Sequence, residues 1–382
     1  MPFGALRGNL RVDVVVVGAG VTGALVADAL LQAGQRIAVL DRRGPGRGSS
    51  AASTALLQFE LDQPLTVLNR KIGRERAARA YWRSAAAVGY LRGRIADLGL
   101  RCAFRERMTA YLPGDVLDVA GLRKEAESRA RIGLRSQFLG RDKLRALTTI
   151  RKPGAILSRG AGEVDPVALV GGLWRSAVAR GAAIYAPVDV VDVESARTSV
   201  TLTTRHGHEV RARYAVFATG YEPLDLVQSP KHKIISTWAM ATAPQPKRLW
   251  PTRCLIWEAA DPYLYVRTTG DGRIVVGGED EEFSDEKKRD ALIPEKTRAL
   301  RRKLGALFPG VDTEPAFSWA GCFGTTETGL PSIGTVPRAR RCFAVLGYGG
   351  NGFTFATVAA QLIQRAVVGL PDPDEDLFAF TT

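Results

Sequence analysis

Gly18, Gly20 and Gly23 form a GxGxxG run between a β-branched stretch, RVDVVVV (residues 11–17), and an alanine-rich stretch from Ala24 to Ala33. Glycines so spaced let the backbone approach a pyrophosphate, and they aim the first N–H groups of the following helix at it. Asp41 lies 18 residues beyond Gly23, at the end of a second apolar run, RIAVL, where a carboxylate accepts hydrogen bonds from ribose hydroxyls. A glycine triplet alone is a weak signal. Strand, helix, strand and acidic residue in this order point to a bound dinucleotide, and NAD and FAD share the fingerprint.

Three further segments decide between them. GRGSSAASTALLQ offers the hydroxyls of Ser49, Ser50, Ser53 and Thr54 just after the adenosine-binding unit, where an extended FAD continues toward its ring. YAVFATGY (residues 214–221) is a buried strand ending in Ala218-Thr219-Gly220, a second place for the chain to touch the nucleotide. Near the end of the chain, Gly347-Tyr348-Gly349-Gly350-Asn351-Gly352-Phe353-Thr354 opens another apolar helix, whose N-terminus suits an anion or a flavin carbonyl. A cofactor long enough to need both glycine turns explains them, and FAD is that cofactor.

The elements that must position these residues can be read from pattern. Residues 11–40 make a βαβ unit ended by Gly34. Residues 70–100 carry helical apolar spacing, and Leu117 to Leu147 reads as mostly helical with loops. Asp165-Pro166 is an N-cap followed by proline at the first helical position, starting a helix to Arg180. Strands are expected at 183–193, 200–204 and 210–218, short β-rich runs over 234–278, a charged helix over 286–308 and a last buried strand at 342–347.

Composition sets the class. The 382 residues are 46% hydrophobic and 24% charged, ordinary for a globular enzyme and incompatible with disorder, collagen or a small disulfide scaffold. Lys and Arg number 53 against 39 Asp and Glu, a net charge of +14 that favours anionic ligands. The arginines are scattered, with no basic tail, which argues against a nucleic-acid partner. Four cysteines stand far apart without CxxC spacing, so neither a zinc site nor a redox pair is expected, and no apolar stretch reaches the roughly 18 residues that span a bilayer. With no cleavable leader evident, the expected location is cytoplasmic.

GAGVTG with Asp41, GSSAASTALLQ, GEVDP, GAAIYAPVDVVDV, ATGY, WAGCFGTTETGLPSIG and GYGGNGFTFA occur in the order seen in the D-amino-acid-oxidase-like superfamily of FAD-dependent oxidoreductases. The chain resembles that group, which includes sarcosine, glycine and D-amino-acid oxidases and glycerol-3-phosphate dehydrogenase, over nearly its whole length. The resemblance implies an α/β (α+β overall) fold: a discontinuous Rossmann-like FAD-binding domain with an inserted substrate domain on a mainly antiparallel sheet. The expected spans are 1–68, 152–225 and 318–382 for FAD and 69–151 with 226–317 for substrate. It implies non-covalent FAD held by Gly18, Gly20, Val21, Thr22, Gly23, Asp41, Arg42, Ser49, Ser50, Ser53, Thr54, Leu56, Val190, Ala218, Thr219, Gly220, Gly349, Gly350, Asn351, Gly352, Phe353 and Thr354.

The resemblance also has gaps. The arginine that pairs with a substrate carboxylate in the sarcosine-oxidase branch falls on Gln58, the carboxylate-binding lysine of the glycine turn falls on Thr354, and the lysine associated with oxygen activation falls near Val275. The fold therefore carries over and the substrate does not. The strand DPYLYVR (residues 261–267) puts Tyr263, Tyr265 and Arg267 on one face, a guanidinium flanked by phenols that suits a carboxylate or phosphate. Trp319 joins Gln58 as a further substrate-contact candidate. Cys322 lies close to where some relatives attach flavin through sulfur, and a buried thiol is the expected reading. His206 and His208 sit in a hairpin turn and imply no metal. The expected activity is hydride transfer from the C–N bond of an amine or amino acid to flavin N5, with a dehydrogenase favoured over an oxidase and O2 or a quinone as acceptor. Alternatives are a C–OH donor, either a hydroxy acid or a polyol phosphate, and a tRNA-modifying enzyme with a flavin domain of this kind.

Overall fold

The computed structural model describes residues 3–227 and 232–380. Residues 1, 2, 228–231, 381 and 382 of the expected domain spans lie outside them. Among the described residues the strands form two sheets, of eight and nine strands.

The first sheet is built around Leu10–Val17. Its last four residues, all valine, are buried, as in a parallel strand covered on both faces. Ile37–Leu40 pairs parallel on one side, with Val14 opposite Ile37, and Ala183–Tyr185 follows it. Glu209–Phe217 pairs parallel on the other side, and its end in turn pairs with Ala339–Leu346. The helices Val21–Gln32 and Gly352–Val367 pack against one another in the principal core. Chain segments some 300 residues apart thus share one layer, which brings both glycine turns to the same end of the sheet.

The second sheet is mostly antiparallel, in the order Pro315–Thr325, Lys233–Thr242, Ile274–Glu281, Tyr265–Thr268, Leu255–Ala259, Arg105–Pro113, Gly154–Glu163, Leu56–Leu57. Leu255–Ala259 and Arg105–Pro113 pair parallel. Gly154–Glu163 and Pro315–Thr325 belong to this sheet, so the expected boundaries at 152 and 318 do not follow sheet membership. The helix Arg74–Asp97, expected with the substrate domain, packs on Gly352–Val367 through Ala77, Ala80 and Tyr81 in the first sheet's core.

Several local expectations hold. Asp165 caps Pro166–Ala179 by accepting from Ala168 N at 2.9 Å. The 183–193 run divides around Pro187, which lacks the N–H a ladder needs. The 286–308 helix divides as Glu286–Ala291 and Ile293–Leu307, with Pro294 in the first turn of the second piece. The stretch read as helical over 117–147 holds a strand, Ser136–Gly140, between the helices Val119–Arg131 and Arg141–Thr148.

Candidate functional site

A long cleft runs from the GxGxxG turn to the second sheet and encloses about 1860 Å3 not occupied by protein atoms, part of it open to solvent.

At one end Gly18 adopts φ +106°, and a Cβ there would run into the carbonyl of Ala218. A Cβ on Gly23 would run into the carbonyl of Gly18, so this glycine serves close helix–strand packing and does not line the cleft. Gly20 does line it, with Ser50 Oγ 3.1 Å from the position of its Cβ. The Asp41 carboxylate accepts from Ala19 N at 2.6 Å, Arg43 N at 2.8 Å and Gly44 N at 2.6 Å, pinning the glycine turn while facing the cleft. Ser50 Oγ accepts from Val21 N at 2.9 Å. Thr22 Oγ1 and Tyr348 OH, 2.8 Å apart, tie the first glycine turn to the last. Arg42 and Arg43 both pair with Glu222.

The other end is built by the second sheet and the distal turn. Trp257 stacks on Tyr111 with ring centroids 3.8 Å apart; Tyr263 meets Trp257 edge-on at 6.0 Å and Tyr265 at 5.7 Å. Asp62 accepts from Gly350 N at 2.8 Å and from Tyr263 OH at 3.2 Å. Burial raises its carboxyl above the usual range, partly offset by these two donors. Burial likewise raises the Tyr263 and Tyr265 phenols, keeping both neutral. Behind them, Asp280 is pushed up to about 7, chiefly by burial.

Of the residues expected to hold FAD, the cleft wall contains Gly18, Gly20, Val21, Thr22, Asp41, Arg42, Ser49, Ser50, Ser53, Thr54, Leu56, Val190, Ala218, Thr219, Gly220, Gly349, Gly350, Gly352 and Phe353. Asn351 and Thr354 stand behind it: Asn351 Nδ2 donates to Asp62 at 3.4 Å, and Thr354 Oγ1 donates to the carbonyl of Gln58 at 2.8 Å. Gln58, Tyr263, Tyr265 and Cys322 also line the cleft. Trp319 does not, because its Nε1 donates to the Ala52 carbonyl at 2.9 Å. His206 and His208 lie in the turn after Val200–Thr204, and no cluster of metal-ligating side chains occurs among the described residues.

Arg267 requires correction. Its guanidinium is buried and used by main-chain carbonyls: Nε donates to Thr54, and Nη1 donates to Thr268 at 3.0 Å. It therefore clamps the second sheet to the 49–54 segment and does not line the cleft. Arg267→Leu is expected to cost about 1–3 kcal/mol for each carbonyl left bare. Thermal unfolding should show that loss, while KM for a carboxylate substrate moves no more than KM for an uncharged one. Val275 is the direct cross-strand neighbour of Arg267 and is likewise absent from the wall.

Sequence reasoning missed Asp62 and Trp257. Asp62 follows Glu60 by two residues in ELDQP with no chemical motif around it, and Trp257 sits in an ordinary strand, so neither had a spacing signal.

FAD fits this cleft. Trp257 Nε1 and Thr219 Oγ1 belong to wall residues, are buried and have no partner among the described residues, and the bare Gly20 backbone leaves room for phosphates. The comparisons agree. The family model described as FAD dependent oxidoreductase matches residues 13–366. The glycine oxidase of Bacillus licheniformis is 24% identical, with 97% of this chain and 96% of that protein covered. The gamma-glutamylputrescine oxidoreductase of Escherichia coli (strain K12) is also 24% identical, with 96% and 85% covered. Among solved structures, glycine oxidase from Geobacillus kaustophilus superposes with a TM-score of 0.81 at 22% identity over 98% of this chain and 99% of that one. L-proline dehydrogenase from P. horikoshii gives 0.80 at 16% identity, with 97% of each covered. With its two glycine turns joined across one cleft and a family match over most of its length, the chain belongs to the D-amino-acid-oxidase-like family of FAD-dependent oxidoreductases.

Proposed function

We propose that this oxidoreductase takes a hydride from the carbon that bears the nitrogen of an amine or amino acid, leaving a C=N bond. Bound FAD supplies the hydride acceptor, its N5 atom. The observation that carries the reading is the flavin end of the cleft, where Asp62 is the one charged side chain on the wall among the described residues. A hydroxy acid or a polyol phosphate would bring an anion there and meet no cation. A bound ammonium can instead give its proton to Asp62, which frees the nitrogen lone pair that stabilises the developing positive charge as the hydride leaves.

The chain's own part is to orient and to exclude water. Gln58, Thr237 and Tyr265 offer hydrogen-bonding groups on the wall, with Tyr265 OH 3.4 Å from Thr237 Oγ1. Trp257 and Tyr263 supply apolar surface that holds the donor carbon in place. Relatives named for an amino acid and for an amine support the C–N class.

Anaerobic titration of the yellow protein with panels of amines, amino acids and hydroxy acids is the test. Bleaching of the flavin band is expected with members of the first two panels. Bleaching by hydroxy acids alone would overturn the reading.

A further inference from the structure

The flavin end of the cleft has an unusual charge balance. Asp62 is the only charged side chain on that part of the wall among the described residues. The others lie at residues 41–47, 189 and 222, joined around the nucleotide end by Asp41, the Glu222 pairs and the bond from Val188 N to the Asp41 carbonyl. Asp62 accepts hydrogen bonds from Gly350, Tyr263 and Asn351, all neutral, and has no ion-pair partner among the described residues. Arg267, which the sequence offered as a carboxylate-binding cation, is held by the carbonyls of Thr54 and Thr268.

Two independent features point to the same ligand chemistry. Gln58 is 8% exposed, and its Oε1 has no donor, so it awaits an N–H. Trp257, Tyr263 and Tyr265 form one continuous ring wall, and both phenols stay protonated, so they present neutral π faces. An aromatic wall attracts a cation through the ring quadrupole, and the attraction grows when water is excluded. A substrate carboxylate would instead find no countercharge on that part of the wall.

We propose that the flavin end selects a cationic amine that carries no carboxylate, with Asp62 as its counter-ion, Gln58 as a hydrogen-bond acceptor and Trp257, Tyr263 and Tyr265 as the enclosing rings. This rests on the C–N reading and narrows it from amines and amino acids to amines alone.

Binding to the FAD-loaded protein, read as perturbation of the flavin spectrum by redox-inert probes, separates recognition from reaction. Benzyltrimethylammonium is the cationic probe and phenylacetate the anionic one. The cation is expected to bind at least tenfold more tightly than the anion. Asp62→Asn keeps an oxygen for Gly350 N and should weaken the cation at least tenfold while leaving phenylacetate no weaker. If that variant loses FAD, Gln58→Arg serves instead: the added guanidinium should weaken the cation and strengthen phenylacetate, reversing the order. Equal affinities in the unaltered protein, or cation binding indifferent to whichever variant holds FAD, would overturn the proposal. If the cation preference and its dependence on Asp62 hold but no amine bleaches the flavin, the C–N reading fails and the recognition stands. If only α-amino acids bleach it, the C–N reading stands and this proposal fails.

Discussion

Gly20→Val is expected to give a folded but colourless protein. Gly20 is the N-cap of Val21–Gln32 in an extended conformation that valine also adopts, so the backbone there is unstrained. Its Cβ would meet only Ser50 Oγ, at 3.1 Å, a side chain that can shift by a few tenths of an ångström. The branched side chain would then occupy the space beside the helix N-terminus where the pyrophosphate lies, and the cofactor's main anchor is lost. Far-UV circular dichroism should match that of the unaltered protein, while the flavin absorbance of the purified variant falls to nearly none. Gly23→Ala is the contrasting case: its Cβ would enter the Gly18 carbonyl in the packed core, so it is expected to compromise folding itself. A yellow Gly20→Val protein would place the phosphates elsewhere.

Arg129→Met is expected to be the most destabilising single substitution, by about 3–5 kcal/mol. Arg129 is fully buried between two buried carboxylates: Nε donates to Glu125 at 2.7 Å, and Nη1 lies 3.5 Å from Glu60. Glu60 also accepts from Thr109, and Glu125 accepts from Leu65 N and Thr66 N, both at 2.8 Å, capping Leu65–Ile72. Methionine fills most of the volume and strands both charges. Burial on its own raises Glu125, but Arg129 and the Thr66 amide outweigh it and hold the carboxyl below its usual range. In the unaltered protein that lowered value adds stability above the unfolded carboxyl range of about 4.5, and this stability is lost as pH falls through the folded value. Without Arg129 the burial penalty on Glu125 prevails, that glutamate takes up a proton on folding, and the variant gains relative stability as pH falls. Urea unfolding at pH 8 and pH 5 should therefore show a large gap at the higher pH that narrows at the lower. An equal gap at both would mean that packing, not charge, accounts for the loss.

The nucleotide half of the site was legible because its chemistry is done by backbone. Gly18 and Gly20 occupy sites where a side chain would collide with main chain or phosphate, so their spacing survives in any chain that performs this task. The Asp165-Pro166 cap is similarly local, since residue type and effect lie within one turn. What was missed is long-range. Asp62 acquires meaning only by meeting Gly350, 288 residues away, and Arg267 looked like an anchor because strand alternation gives a face but not what covers it. The strands Arg105–Pro113 and Gly154–Glu163 escaped for the same reason: RERMTAYLP and GAILSRGAGE carry no clean alternation, and their pairing with each other, not their propensity, makes them strands.

The most direct test of the central claim, that two glycine turns from opposite ends of the chain hold one FAD without a covalent bond, is acid precipitation of the purified protein. Cys322 lines the cleft, so attachment through sulfur is the specific alternative, but burial raises its thiol and keeps it protonated and unreactive. The expected result is a colourless pellet and a yellow supernatant holding one FAD per chain. Flavin retained in the pellet, or a protein that never carried flavin, would contradict it.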